Sequence, residues 1–178
     1  VYPFIYQPLD TLLTEIKVIV MRIESTAGNE HKVWLTDGEI EELRRATNSK
    51  RDDIIIQLGA FVGLRAFEIP QVCPANVKEA DSGQYRLRVT AGKDTSGNGG
   101  KPRDAYLPDR VERDLKRYQN EHNIAPNDPF IDLTQPGVRA VVRRTANRAA
   151  QATGDDDFEK VSTHDLRRRY AQRLLVDE

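Results

Sequence analysis

The run Asp53-Ile54-Ile55-Ile56-Gln57-Leu58-Gly59-Ala60-Phe61-Val62-Gly63-Leu64-Arg65-Ala66-Phe67-Glu68 reads as a buried helix followed directly by an arginine. Ile54, Ile55, Leu58, Phe61 and Val62 give it a wide apolar face, as a central core helix needs. Ser49 is placed to cap its start, and the pattern predicts helix through Leu64. Gly63 interrupts the run just before Arg65; a short helix is expected from there to Ile69, where Pro70 limits it. An arginine directly after a buried helix sits at the edge of the core. Glu68, three residues on, is spaced to hold its guanidinium. A fixed guanidinium binds two oxygens at once and suits a phosphate. A purely structural Arg-Glu pair would look the same.

Toward the N-terminus, Thr36-Asp37-Gly38-Glu39 has the form of a capping box and predicts a helix to about Ala46, with Glu41, Glu42, Arg44 and Arg45 on a solvated face. Before it, residues 8–24 carry apolar residues at helical spacing and residues 25–35 read as a loop. Toward the C-terminus the period changes. Tyr85, Leu87 and Val89 alternate with Arg86 and Arg88, and a turn at Asp81-Ser82-Gly83 precedes them. Residues 76–107 therefore read as a small antiparallel sheet of three strands, with Lys93 at a hairpin tip and Lys101 and Arg103 beside the third strand. A helix follows from Asp109 to about Glu121, then a loop, a basic helix over 136–152, an acidic turn at Gly154–Asp157 and a last helix capped by Thr163. Tyr106, Tyr118 and Tyr170 are read as core residues. The fold class is mainly α (α+β), a helical bundle with one small antiparallel sheet.

The chain has 178 residues, about one domain's worth. Cys73 is alone, which excludes a disulfide framework and a cysteine metal site and fits a reducing compartment. No apolar run approaches the roughly 20 residues of a membrane span, and no signal peptide is visible. The formal net charge is -1, which by itself argues against a nucleic-acid surface. The distribution argues the other way. Arg139, Arg143, Arg144 and Arg148 have no acid among them, and Arg167, Arg168, Arg169 and Arg173 follow. Positive charge is concentrated late in the chain.

That late segment holds the second arginine motif, Thr163-His164-Asp165-Leu166-Arg167-Arg168-Arg169-Tyr170. His164 and Arg167 are three apart at a helix start, where free N–H groups favour an anion. Taken with Arg65-Ala66-Phe67-Glu68 and with Gly92-Lys93 ahead of Lys101-Pro102-Arg103, this order resembles the tyrosine recombinase and phage integrase family over roughly residues 36–178. Arg168 stands where that family most often has a second histidine. The resemblance implies a DNA breaking-rejoining fold and strand cleavage through a 3′-phosphotyrosyl link, without metal or other cofactor. Arg65, Lys93, His164 and Arg167 would be catalytic, with Lys101 the competitor of Lys93 and Glu68 supporting. Lys101, Arg103, Arg139, Arg143, Arg144, Arg148 and Arg168 would contact DNA. The partners implied are double-stranded DNA and further copies of the full-length protein, as a tetramer, in a cytoplasmic, nucleoid-associated setting. Residues 1–35 are expected to be a helical connector and 36–178 an incomplete catalytic domain, with the tyrosine nucleophile beyond Glu178. The alternatives are a non-catalytic DNA-binding protein on the same scaffold, a type IB topoisomerase, and an unrelated helical module whose arginines pair with Asp155, Asp156 and Asp157.

Overall fold

The structure is a computed structural model and describes residues 21–25, 31–90 and 102–176. Its centre is helix α2 (Lys50–Ala60), buried at every position from Ile54 to Ala60. Ser49 caps it by accepting from the Asp52 amide at 3.2 Å. Helices α1 (Asp37–Arg45), α3 (Asp109–His122), α4 (Gln135–Thr153) and α5 (Thr163–Val176) all pack against it. Polar groups also tie the bundle. Arg44 leaves the solvated face expected for it and reaches from α1 to Asp53 on α2, Nε to Oδ1 at 2.8 Å.

A small antiparallel sheet lies at one side, in the order β3 (Val77–Glu79), β4 (Tyr85–Val89), β5 (Arg103–Leu107). Leu87, Val89, Ala105 and Leu107 face the core, while Arg86, Arg88, Asp104 and Tyr106 face out. Tyr106 is 41% exposed, so it is not the core residue its alternation suggested. The strand period is right; the outward parity is fixed by the pairing of Tyr106 with Arg86.

Other expectations are corrected near the arginine motifs and at the N-terminal side. The core helix stops at Ala60, four residues early, and the chain from Phe61 to Glu68 is a set of turns before a 3-10 turn at Ile69–Gln71. The cap of α5 is not Thr163, which is buried, but Ser162, whose amide and hydroxyl both donate to Asp165 Oδ2 at 2.9 and 2.6 Å. Among the described residues, Arg22–Ser25 (β1), where a helix was expected, and His31–Trp34 (β2), within the expected loop, are strands that pair antiparallel as a hairpin. The rest of the helix expected over 8–24, apart from residue 21, lies outside the described residues. Ladder bonds and the burial of Val33 and Leu35 outweigh a helical spacing that is only a weak local preference.

Candidate functional site

Arg65 is positioned by the turn that ends α2. Gly63 has φ +72°, a conformation glycine adopts without strain, and the Leu64 amide folds back to the Leu58 carbonyl at 3.0 Å. A Cβ on Gly63 would stand 2.2 Å from the Tyr170 ring, so the turn and α5 touch through glycine backbone. The Arg65 amide then donates to Glu68 Oε2 at 2.8 Å, while Arg65 Nη1 donates to Glu68 Oε1 at 3.1 Å.

Glu68 is the hub. Its side chain is fully buried. Arg103, from the start of β5, meets it with both ends of its fork, Nη1 to Oε1 at 2.6 Å and Nη2 to Oε2 at 2.9 Å. Burial alone would raise the carboxyl's pKa; the hydrogen bonds from Arg103 and the Arg65 amide outweigh that and hold it below the ordinary range. The Arg103 guanidinium is raised in turn, chiefly by its bond to Glu68.

Arg167 completes the cluster from α5. Its Nη1 donates to the Gly63 carbonyl. Burial depresses its pKa most, and repulsion from Arg65 and Arg103 adds to this; Glu68 and Tyr170 act the other way. Arg65 and Arg103 thus bond one carboxylate, and Arg167 lies within electrostatic reach of all three, so positive charge outnumbers negative in the cluster by two. An arginine in protein does not escape by losing its proton. A cluster of this kind is relieved by binding an anion, and a phosphate diester offers two non-bridging oxygens to planar forks.

The other residues read from sequence divide. His164 is exposed and lines a cleft of about 900 Å³ with Arg139 and Arg143, a cleft that Arg65, Glu68 and Arg167 do not line. It is Arg167, not His164, that is brought to Arg65. Arg144 is exposed on α4 but does not line the cleft. Arg148 is spent on structure: its Nε donates to the Ala46 carbonyl at 2.6 Å and Nη2 to Thr145 Oγ1 at 3.1 Å. Arg168 pairs with Asp165 and lies over the Trp34 ring at 5.6 Å. Lys93 and Lys101 lie outside the described residues.

Sequence reading placed Arg103 on DNA and missed its bidentate hold on Glu68, because nothing local links residues 35 positions apart. It also missed Asp165. That carboxylate accepts from Ser162, from Arg168 and, at 3.0 Å, from the Val33 amide. The Ser-x-x-Asp spacing at 162–165 is a half capping box and was the available signal.

Comparison with solved structures bears on this geometry. XerA recombinase superposes with a TM-score of 0.61 at 21% identity, covering 80% of this chain and 50% of that one. The XerH site-specific recombinase bound to its difH substrate, a pre-cleavage complex, gives 0.57 at 22% identity over 82% and 44%. The chain has a tyrosine recombinase/integrase-like fold. An integrase from mycobacterium phage Brujita gives 0.56 at 20% identity over 79% and 43%. The chain therefore spans half or less of the length of these three proteins. No family model and no curated protein matches the sequence.

Proposed function

We propose that this chain supplies the DNA-binding and phosphate-activating part of a site-specific DNA recombinase or integrase. The observation that supports it is the Arg65–Glu68–Arg103–Arg167 cluster, with its unneutralised positive charge, set in a recombinase-like fold. Arg65 and Arg167 take the non-bridging oxygens of the scissile phosphate and stabilise the charge that builds on them in the transition state. Glu68 keeps the forks fixed, so little reorganisation is left for the reaction. His164 assists proton transfer from the cleft side, and Lys93 protonates the leaving 5′ oxygen. The attacking tyrosine forms a 3′-phosphotyrosyl link, which preserves the diester energy for rejoining. In this reading none of Tyr85, Tyr106, Tyr118 and Tyr170 is that tyrosine, the Tyr170 ring being packed against Gly63. The nucleophile is supplied from outside these residues, in a full-length protein that assembles as a tetramer on DNA in the cytoplasm.

The test uses a nicked duplex that traps covalent intermediates. The 178-residue chain is expected to bind it in a salt-dependent way and to form no adduct. In the protein that carries the nucleophile, Arg65→Ala should lower cleavage by roughly 10²–10³-fold while changing affinity by less than about tenfold, since one phosphate is a small part of the footprint. An adduct formed by the chain alone would overturn this reading and put Tyr170 back in play as the nucleophile. Undiminished cleavage by Arg65→Ala would remove the cluster from the reaction.

A further inference from the structure

The β1–β2 hairpin has no role in the arginine cluster, yet it is fastened to the helix that carries Arg167. The Val33 amide donates to buried Asp165 at 3.0 Å, and Arg168 reaches both that carboxylate and the Val33 carbonyl. This clamp holds His31 and Lys32 at the cleft already described, which Arg139, Arg143 and His164 also line. Of the cations lining the cleft, Lys160 is neutralised by Asp157 at 2.7 Å and Arg168 by Asp165. Lys32, Arg139 and Arg143 have no ion pair among the described residues. Glu24, across the ladder from Lys32, is taken by Arg22 at 2.9 Å. Glu159 is the one other carboxylate on the cleft wall among the described residues. The cleft is therefore an open, net-positive channel whose walls come from three separated parts of the chain. His164, which lines the channel, and Arg167, in the arginine cluster, are three residues apart on α5, a rise of roughly 5 Å along the helix axis.

We propose that the hairpin is part of the DNA-binding face: Lys32 and His31 hold the sugar-phosphate backbone against Arg139 and Arg143, next to the phosphate in the arginine cluster. This rests on the DNA reading above and extends it to a segment that the sequence assigned to a connector. The occupant is a polyanionic backbone and not a single small anion, because three unpaired cations from two separate parts of the chain, Lys32, Arg139 and Arg143, line one open cleft of about 900 Å³. Asp165 acts as a positioning residue: by fixing β2 to α5 it sets the hairpin's distance from the cluster.

Equilibrium binding of the chain to a short duplex, measured from low to moderate salt, tests this. The slope of log affinity against log salt counts phosphates neutralised, at about 0.9 each. Lys32→Ala should reduce the slope by about 0.9, and Lys32→Glu should reduce affinity further. Lys116→Ala, an exposed lysine on α3 outside the cleft, should leave the slope unchanged. Lys32 is exposed, so both variants are expected to keep the wild-type melting temperature. If Lys32→Ala and Lys32→Glu keep the wild-type slope while Arg139→Ala lowers it, the hairpin is off the DNA and the proposal is overturned, with the DNA reading intact. If the unmodified chain has no salt-dependent binding, both fall.

Discussion

Glu68 accepts from one amide and two guanidiniums with no exposure of its own, so its replacement bears on stability and site geometry together. Glu68→Gln keeps the shape and removes the countercharge. Because Arg65 and Arg103 keep about a third of their side-chain exposure, they recover part of their hydration, and the loss should be about 2–3 kcal/mol near neutral pH. The pH dependence has a definite sign. The folded-state pKa lies below the ordinary 4.5, so this stabilisation is full above that value and is lost as pH falls through the depressed one. The gap between wild type and Glu68→Gln, followed by urea denaturation, should shrink as pH falls below about 4.5; a constant gap down to about pH 2.5 would show that folding does not lower the Glu68 pKa. Gly63 is the second sensitive residue. Gly63→Ala combines a left-handed backbone with a collision on the Tyr170 ring and should cost about 2–4 kcal/mol. If contact with the ring is a real part of that loss, adding Tyr170→Ala recovers some of it in a double-mutant cycle; strict additivity would rule the contact out. Arg65, Glu68 and Arg167 were legible from local spacing. That Arg103 completes the hub was not, since only the docking of β5 beside the α2 exit brings it there.

At the level of elements, the N-terminal hairpin is the part most dependent on its surroundings. A four-residue strand pair is marginal alone, and here one ladder amide is fastened to the α5 cap carboxylate. Asp165→Asn keeps the size and gives up the charge-assisted acceptor. The Val33 amide should then exchange with solvent at least tenfold faster, relative to the core amides of α2, as read by hydrogen exchange. Unchanged protection at Val33 would mean that the hairpin is held by its apolar contacts instead. The same dependence explains which elements were legible. Helices α1 to α5 follow apolar periodicity and local caps, such as the Thr36–Glu39 box in which the Thr36 amide donates to Glu39 Oε2 at 2.6 Å. β1 has no local signal strong enough to compete with helical spacing and β2 falls in a stretch that reads as loop, and the turn after α2 is fixed by Glu68 bonding the Arg65 amide in place of a further helical carbonyl.

Across the whole molecule, a net charge of -1 conceals an uneven field, and the bundle decides which arginines face outward. Arg143 and Arg148 lie on the same basic helix, yet the first lines the cleft and the second holds the end of α1. Arg143→Ala should therefore lower the salt slope of DNA binding by about 0.9 with little change in melting temperature, and Arg148→Ala should do the reverse. Equal slopes for the two variants would deny that distinction. The sequence by itself determined the helical core, the three-stranded sheet and the two arginine motifs, because each rests on periodicity, caps or spacings within a few residues. Only the tertiary structure decided that Arg167 rather than His164 joins Arg65, that Arg103 locks Glu68, and that His31 and Lys32 line one cleft with Arg139 and Arg143. Those relations join residues from 35 to more than 100 positions apart, and packing of α2 against α5 and the sheet, not local chain preference, sets them.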